Sequence, residues 1–166
     1  GSTTPDNNHA CNWANAPFND GSKTFNSTYF NTYKSEWMDS SNNLKPEFDA
    51  AYKTTNGIAR MPTNIEWDEL INNTTGTSAT INGVNGYKFT SKTDESKYIF
   101  IPVSGCRLDS SFNLQGSYSS VWSSSLNTSN SAGIWGLCFG LRITSNNCVV
   151  LSSYRYCGRS VRGVME

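Results

Sequence analysis

The run Arg60-Met61-Pro62-Thr63-Asn64-Ile65-Glu66-Trp67-Asp68-Glu69-Leu70-Ile71 constrains this chain most tightly. Thr63 and Glu66 stand three apart just before apolar residues, the T-x-x-E pattern of a capping box. The Thr oxygen takes a free backbone N–H and the Glu reaches back to the cap residue, an arrangement worth about 1 kcal/mol. Asp68 and Glu69 add negative charge near the positive end of the helix dipole. The pattern predicts a helix from Thr63 to about Asn73, with Ile65, Leu70 and Trp67 supplying its buried face. A shorter helix is predicted before it, from Pro46 to Thr54. Pro suits a first helical position, Phe48, Ala51 and Tyr52 fall at helical spacing, and Gly57 follows where a left-handed residue is needed.

After Asn73 the pattern changes. Asn82-Gly83 and Asn85-Gly86 are turn dipeptides. Tyr87–Thr90, Tyr98–Val103, Ser117–Ser125, Ile134–Phe139, Cys148–Tyr154 and Ser160–Val164 read as strands between Gly, Ser and Asn turns. Leu137 and Phe139 alternate with Gly136 and Cys138, which predicts one buried and one solvated face. Helices first and strands later imply an α+β fold with an antiparallel sheet. Its 166 residues make one domain. Residues 1–43, rich in Asn, Ser and Thr with scattered aromatics, form an irregular N-terminal part, and residues 44–166 form the core.

Residues 104–164 contain no Lys, Glu or Met, yet hold five of the six Arg and four of the five Cys; residues 1–103 carry seven Lys and five Glu. A mere shortage of charge would not keep Arg and drop Lys. A codon with two varying letters and a fixed C would: it encodes Arg, Cys, Gly, Leu, Ser, Asn, Tyr, Phe and Asp, but not Lys, Glu, Gln, Met or Trp. The bias points to a surface built to vary, and so to binding. It also divides the charge. Residues 1–103 hold eight basic and eleven acidic side chains (−3), and residues 104–164 hold five Arg and one Asp (+4).

Zero net charge with only 16% charged residues argues against nucleic-acid binding. No apolar run reaches the roughly 18 residues of a transmembrane helix. Cys11, Cys106, Cys138, Cys148 and Cys157 are odd in number and lack C-x-x-C spacing, which disfavours a metal knuckle or redox pair. Free thiols are the expectation, with a disulfide framework the alternative. His9 is the only histidine and lies near the start of the chain. No catalytic residue, metal or cofactor is assigned.

Three segments resemble one family pattern. Arg60-Met61-Pro62-Thr63 with Glu66-Trp67 is similar to the R-L/M-P-T-x-x-E-W helix start of the formylglycine-generating-enzyme type of C-type lectin fold. Trp122-Ser123-Ser124-Ser125 resembles the W-S-S strand of that fold, and Gly158-Arg159-Ser160-Val161-Arg162 its closing G-x-S-V-R segment. The intervening Asn82–Tyr87 and Ile99–Pro102 stretches are similar to bacterial and phage members. The resemblance spans roughly residues 44–164 and implies two helices packed on a twisted antiparallel sheet with long irregular loops. Among its branches are cysteine-dependent oxidases, calcium-dependent lectins and the variable proteins of diversity-generating retroelements. The third fits the codon bias, since mutagenised adenines in AAC triplets yield that residue menu. It implies a non-enzymatic, hypervariable ligand-binding domain, on a phage tail or bacterial surface, that recognises or adheres to a protein or glycan. A fixed-sequence adhesin or structural surface domain of the same fold is the alternative, and an oxidase relative a more remote one. A calcium site would want acids in the late loops, where Asp109 stands alone.

On this reading, candidate variable positions lie between scaffold residues. They are Cys106, Leu108, Asp109 and Phe112, then Ser119, Ser120 and Val121, then Gly133, Gly136, Cys138, Gly140 and Arg142, and finally Cys148, Val150, Cys157 and Arg159. The scaffold comprises Thr63, Glu66, Trp67, Trp122, Trp135, Leu137, Phe139, Gly158 and Arg162. Trp122 and Trp135 break the codon menu but fall at the family's fixed aromatics; Gln115 also breaks it and has no such explanation. Leu108, Phe112, Val121 and Val150 read equally well as core. Cys106, Cys138 and Cys157 read as exposed thiols, and the three glycines as small random outcomes. Phe112, Leu141, Arg142, Tyr154 and Arg159 are the expected anchors of a contact surface.

Overall fold

The computed structural model describes residues 34–108, 111–113, 115–128, 137–144, 147–154 and 158–165; the side chains of 107, 108, 111–113, 137–139 and 154 lie outside that description. The fold is mixed α+β, with short helices preceding antiparallel strands. The expected first helix is split. Pro46–Phe48 form a 3-10 turn, and α1 spans Ala50–Thr54. Asp49 causes the break: it leaves helical conformation to cap α1, accepting from Tyr52 N at 3.0 Å through one carboxylate oxygen and from Met61 N at 2.8 Å through the other. This short polar side chain is 2% exposed, so both bonds replace water it has lost. Gly57 takes the left-handed conformation expected of it (φ 86°).

Helix α2 spans Asn64–Asn73 and carries the complete capping box. Thr63 Oγ1 accepts from Glu66 N at 3.2 Å, and Glu66 Oε2 accepts from Thr63 N at 2.8 Å. Trp67 is buried, and Leu70 and Ile71 pack beside it. Ile65 does not join them. It is 64% exposed, because Trp67, Leu70 and Ile71 define the inner stripe and Ile65 faces away from it.

Strand β1 (Thr74–Ile81), not expected from the sequence, pairs with β2 (Val84–Ser91) through a hairpin. Asn82 and Gly83, both at positive φ (50° and 77°), form the two-residue connection whose twist matches the flanking strands. Asn85-Gly86 makes no turn; both residues lie inside β2 and continue the register, opposite Thr80 and Ala79. Strand β3 (Tyr98–Pro102) completes this first sheet. Strands β4 (Cys106–Leu108) and β5 (Ser111–Asn113) form a small hairpin. Strands β6 (Tyr118–Leu126), β7 (Leu137–Thr144) and β8 (Cys148–Tyr154) form a third sheet in that order. The last segment makes isolated bridges rather than the expected strand, with Ser160 beside Val121 and Val164 beside Arg60.

One core joins these parts. Trp67 of α2, Tyr87 and Phe89 of β2, Ile101 of β3, Val121 of β6, and Leu141 and Ile143 of β7 are all buried together. Each such side chain contributes about 1.5–3 kcal/mol by leaving water. The three segments that carry the family resemblance meet at its edge. Ser124 N donates to Pro62 O at 2.8 Å, and Asn64 N to Ser125 Oγ at 3.0 Å. Trp122 N donates to Ser160 O at 3.0 Å, and Arg60 and Val164 exchange backbone bonds of 3.0 and 2.8 Å. The buried serines of β6 are therefore joints between segments.

Candidate ligand-binding face

The β6–β7–β8 sheet has two faces, and up to the irregularity after Trp122 its register assigns the paired positions to one or the other. Val121 pairs with Leu141, Leu141 with Val150, and Ile143 with Ser119 and Cys148. That row belongs to the core. The opposite face carries Ser120, Arg142 and Val149 in one row and Trp122, Gly140 and Leu151 in the next. Arg159 lies across it from the closing segment. Its guanidinium hydrogen-bonds Ser120 Oγ through Nη1 and Ser153 Oγ through Nη2, the latter at 2.5 Å. It also sits 4.8 Å from the centre of the Trp122 ring, a cation–π contact.

This geometry sorts the expected variable positions. Arg142 and Arg159 occupy the outer face, half-buried. Ser120 shares that face but is fully buried beneath Arg159, so it supports the face rather than presenting to solvent. Ser119 departs from the expected surface position and Val121 takes its alternative place in the core: both are fully buried on the core side, where Ser119 Oγ meets Ser104 Oγ at 3.3 Å and Val121 packs in the core. Cys148 and Val150 also pack against the core. Burial pushes the Cys148 thiol up to about 12 and, with Cys148 as a lesser cause, also raises the neighbouring Tyr87 hydroxyl. Leu141, expected as a contact anchor, has no exposed surface.

Gly140 is a correction of another kind. A Cβ there would stand 2.8 Å from the Val121 carbonyl oxygen, closer than packed atoms allow. Close approach of β6 and β7 requires the glycine, so random choice does not explain it. Cys106 is a half-buried free thiol. Leu108 and Phe112 lie in the β4–β5 hairpin, and Cys138, Leu137 and Phe139 in β7, with side chains outside the description. Asp109, Gly133, Trp135, Gly136 and Cys157 lie outside the described residues.

Among the scaffold positions, Thr63, Glu66 and Trp67 build and bury α2, and Trp122 backs Arg159. Arg60 grips Glu66 through two bonds of 2.8 Å, and chiefly for that reason the Glu66 carboxyl is lowered from an ordinary 4.5 to about 2. Gly158 is half-buried, and exposed Arg162 reaches Phe100 O at 3.4 Å. The outer-face residues Val149, Leu151 and Ser153 were not singled out from the sequence. They are the odd-numbered residues of β8, and period-two alternation yields them once the core-facing phase is known.

Among the described residues, no group of three or more His, Cys, Asp or Glu is gathered as a metal site would need, and no helix is long and apolar enough to cross a membrane. A cleft of about 330 Å³ lies between the β1–β2 hairpin and residues 116–117, lined by Thr80, Asn85, Tyr87 and Thr144. It holds no nucleophile–base pair. No protein-family model matches the chain, and no curated protein and no solved structure matches it.

Proposed function

We propose that this chain is a non-enzymatic ligand-binding domain of the C-type lectin type, whose outer sheet face and adjoining loops are diversified by a retroelement. The observation that carries the reading is the residue menu of 104–164, which keeps Arg and Cys while excluding Lys, Glu and Met. The meeting of the Arg60–Trp67, Trp122–Ser125 and Ser160 segments around one core supports it, because those segments carry the resemblance. On this reading the domain sits on a phage tail or bacterial surface, and its partner is displayed on another surface.

The packing favours a frame more restricted than the codon bias alone implies. Ser119, Val121, Gly140 and Leu141 are held by burial or close approach, which lends weight to the second reading, a fixed-sequence adhesin. The coding DNA separates the two. A nearby imperfect repeat of the 3′ coding end that differs only at template adenines, beside a reverse transcriptase gene, is the expected result. Mismatches spread over all four bases would overturn the diversified reading.

A further inference from the structure

We propose that the outer face of the β6–β7–β8 sheet binds a carboxylate of a protein partner, an Asp or Glu side chain flanked by apolar residues, received between Arg142 and Arg159. The proposal rests on the binding reading given above and names the chemistry of the ligand.

Both arginines adjoin Ser120. Arg142 stands opposite Ser120 in the strand register, a spacing of roughly 5 Å between Cβ atoms, and Arg159 hydrogen-bonds the Ser120 hydroxyl. Each arginine has a buried Nε with no hydrogen-bond partner among the described residues. The described ion pairs are Arg60–Glu66 and Lys97–Asp94, so neither arginine of this face has a carboxylate partner among the described residues. Two half-buried cations with no carboxylate partner among the described residues are an incomplete arrangement. A charge withdrawn from water needs a counter-charge and full hydrogen bonding to offset its desolvation. Arginine's fork matches a carboxylate in just this way.

The surroundings select the source of the carboxylate. Half-buried Val149 shares the Arg142 row, and Leu151, 39% exposed, lies in the next row with Gly140 and Trp122, the residue under Arg159. They offer apolar contact to residues flanking an acidic side chain. An acidic sugar would want an open aromatic face for its ring, but the Arg159 guanidinium already covers a face of Trp122 at 4.8 Å.

The test uses the whole chain, labelled with nitrogen-15, and follows the arginine Nε–Hε signals by NMR. The probes are a blocked peptide with one glutamate between two leucines, its glutamine counterpart, and glucuronic acid. The expected result is a saturable shift of the Arg142 and Arg159 signals by the glutamate peptide, with the glutamine peptide about tenfold weaker or more. Arg142→Gln should weaken binding by about tenfold, and Arg142→Lys should recover part of the loss by retaining the charge without the fork. Arg159→Gln should do likewise; because Arg159 also braces Trp122, the Arg142 variants carry the test if that protein unfolds. Equal shifts by both peptides, no shift up to about 10 mM, or tighter binding of glucuronic acid would each overturn the proposal. Such a failure alongside adenine-restricted differences in the DNA would leave the diversified face standing and remove only its carboxylate preference.

Discussion

Replacing Glu66 by Gln tests how the Arg60–Trp67 segment holds the start of α2. Glu66 accepts two bonds of 2.8 Å from Arg60, one of 2.8 Å from Thr63 N and one of 3.1 Å from Thr63 Oγ1. Its carboxyl lies at about 2 instead of 4.5, which at full strength corresponds to roughly 3 kcal/mol of preference for the charged form in the folded state. The Arg60 and Glu66 side chains are 34% and 33% exposed, and solvent screening at that depth reduces the value to about 1–2 kcal/mol. The sign follows from the direction of the shift. The folded carboxyl is the stronger acid, so its contribution is complete above pH 4.5 and is lost as the pH falls through about 2. Urea unfolding of wild type and Glu66→Gln, measured in parallel at several pH values, isolates this group because the other carboxylates are common to both proteins. At pH 7 the variant's midpoint should fall by about 0.5–1 M, for a slope near 2 kcal/mol/M. The difference should shrink steadily below pH 4.5. An equal midpoint at pH 7, or a difference that persists undiminished to pH 2, would show that the charged Glu66 does not hold the start of α2.

Gly140→Ala places a methyl 2.8 Å from the Val121 carbonyl oxygen and should cost about 1–3 kcal/mol; thermal melting checks it, and an unchanged midpoint would restore Gly140 as a freely variable position. Cys148, with its thiol pushed up to about 12 by burial, should react with iodoacetamide at pH 8 at least about tenfold more slowly in the native than in the denatured protein. Peptide mapping by mass spectrometry reads this site by site, and equal native and denatured rates would place Cys148 at the surface. Ile65→Ser should change stability by no more than about 0.5 kcal/mol, since Ile65 is 64% exposed; a loss of about 2 kcal/mol in denaturant unfolding would return Ile65 to the buried face of α2.

Local chemistry was legible in the sequence wherever neighbours along the chain supply the partner. The capping box needs only Thr63 and Glu66, and the β1–β2 turn needs only Asn82 and Gly83; both formed as their spacing implied. Asp49 shows the limit of local reading. Its capping bond to Tyr52 is local, but its second bond goes to Met61, twelve residues on, and together they turn one expected helix into a 3-10 turn and α1. The α+β order and the strands β2, β3, β6 and β8 followed from period and punctuation. Strand β1 escaped because Thr74–Ile81, half-exposed and rich in Thr, lacks a strong apolar alternation.

The amino-acid order by itself determined the helix cap, the hairpin turn and a codon-like bias confined to residues 104–164, because each is a property of adjacent residues or of composition. Tertiary structure alone decided which side of each late strand is available. Ser119, Val121, Cys148 and Val150 alternate as regularly as Ser120, Arg142, Val149 and Leu151, and period two is unchanged by exchanging the faces. The phase is set by Trp67, Leu70 and Ile71 of α2, which join the first set in the core. Packing likewise decided that Gly140 is a spacing requirement and that Arg159, distant in sequence from Ser120 and Trp122, lies across them. Those contacts depend on chain segments meeting in three dimensions, and no local pattern encodes them.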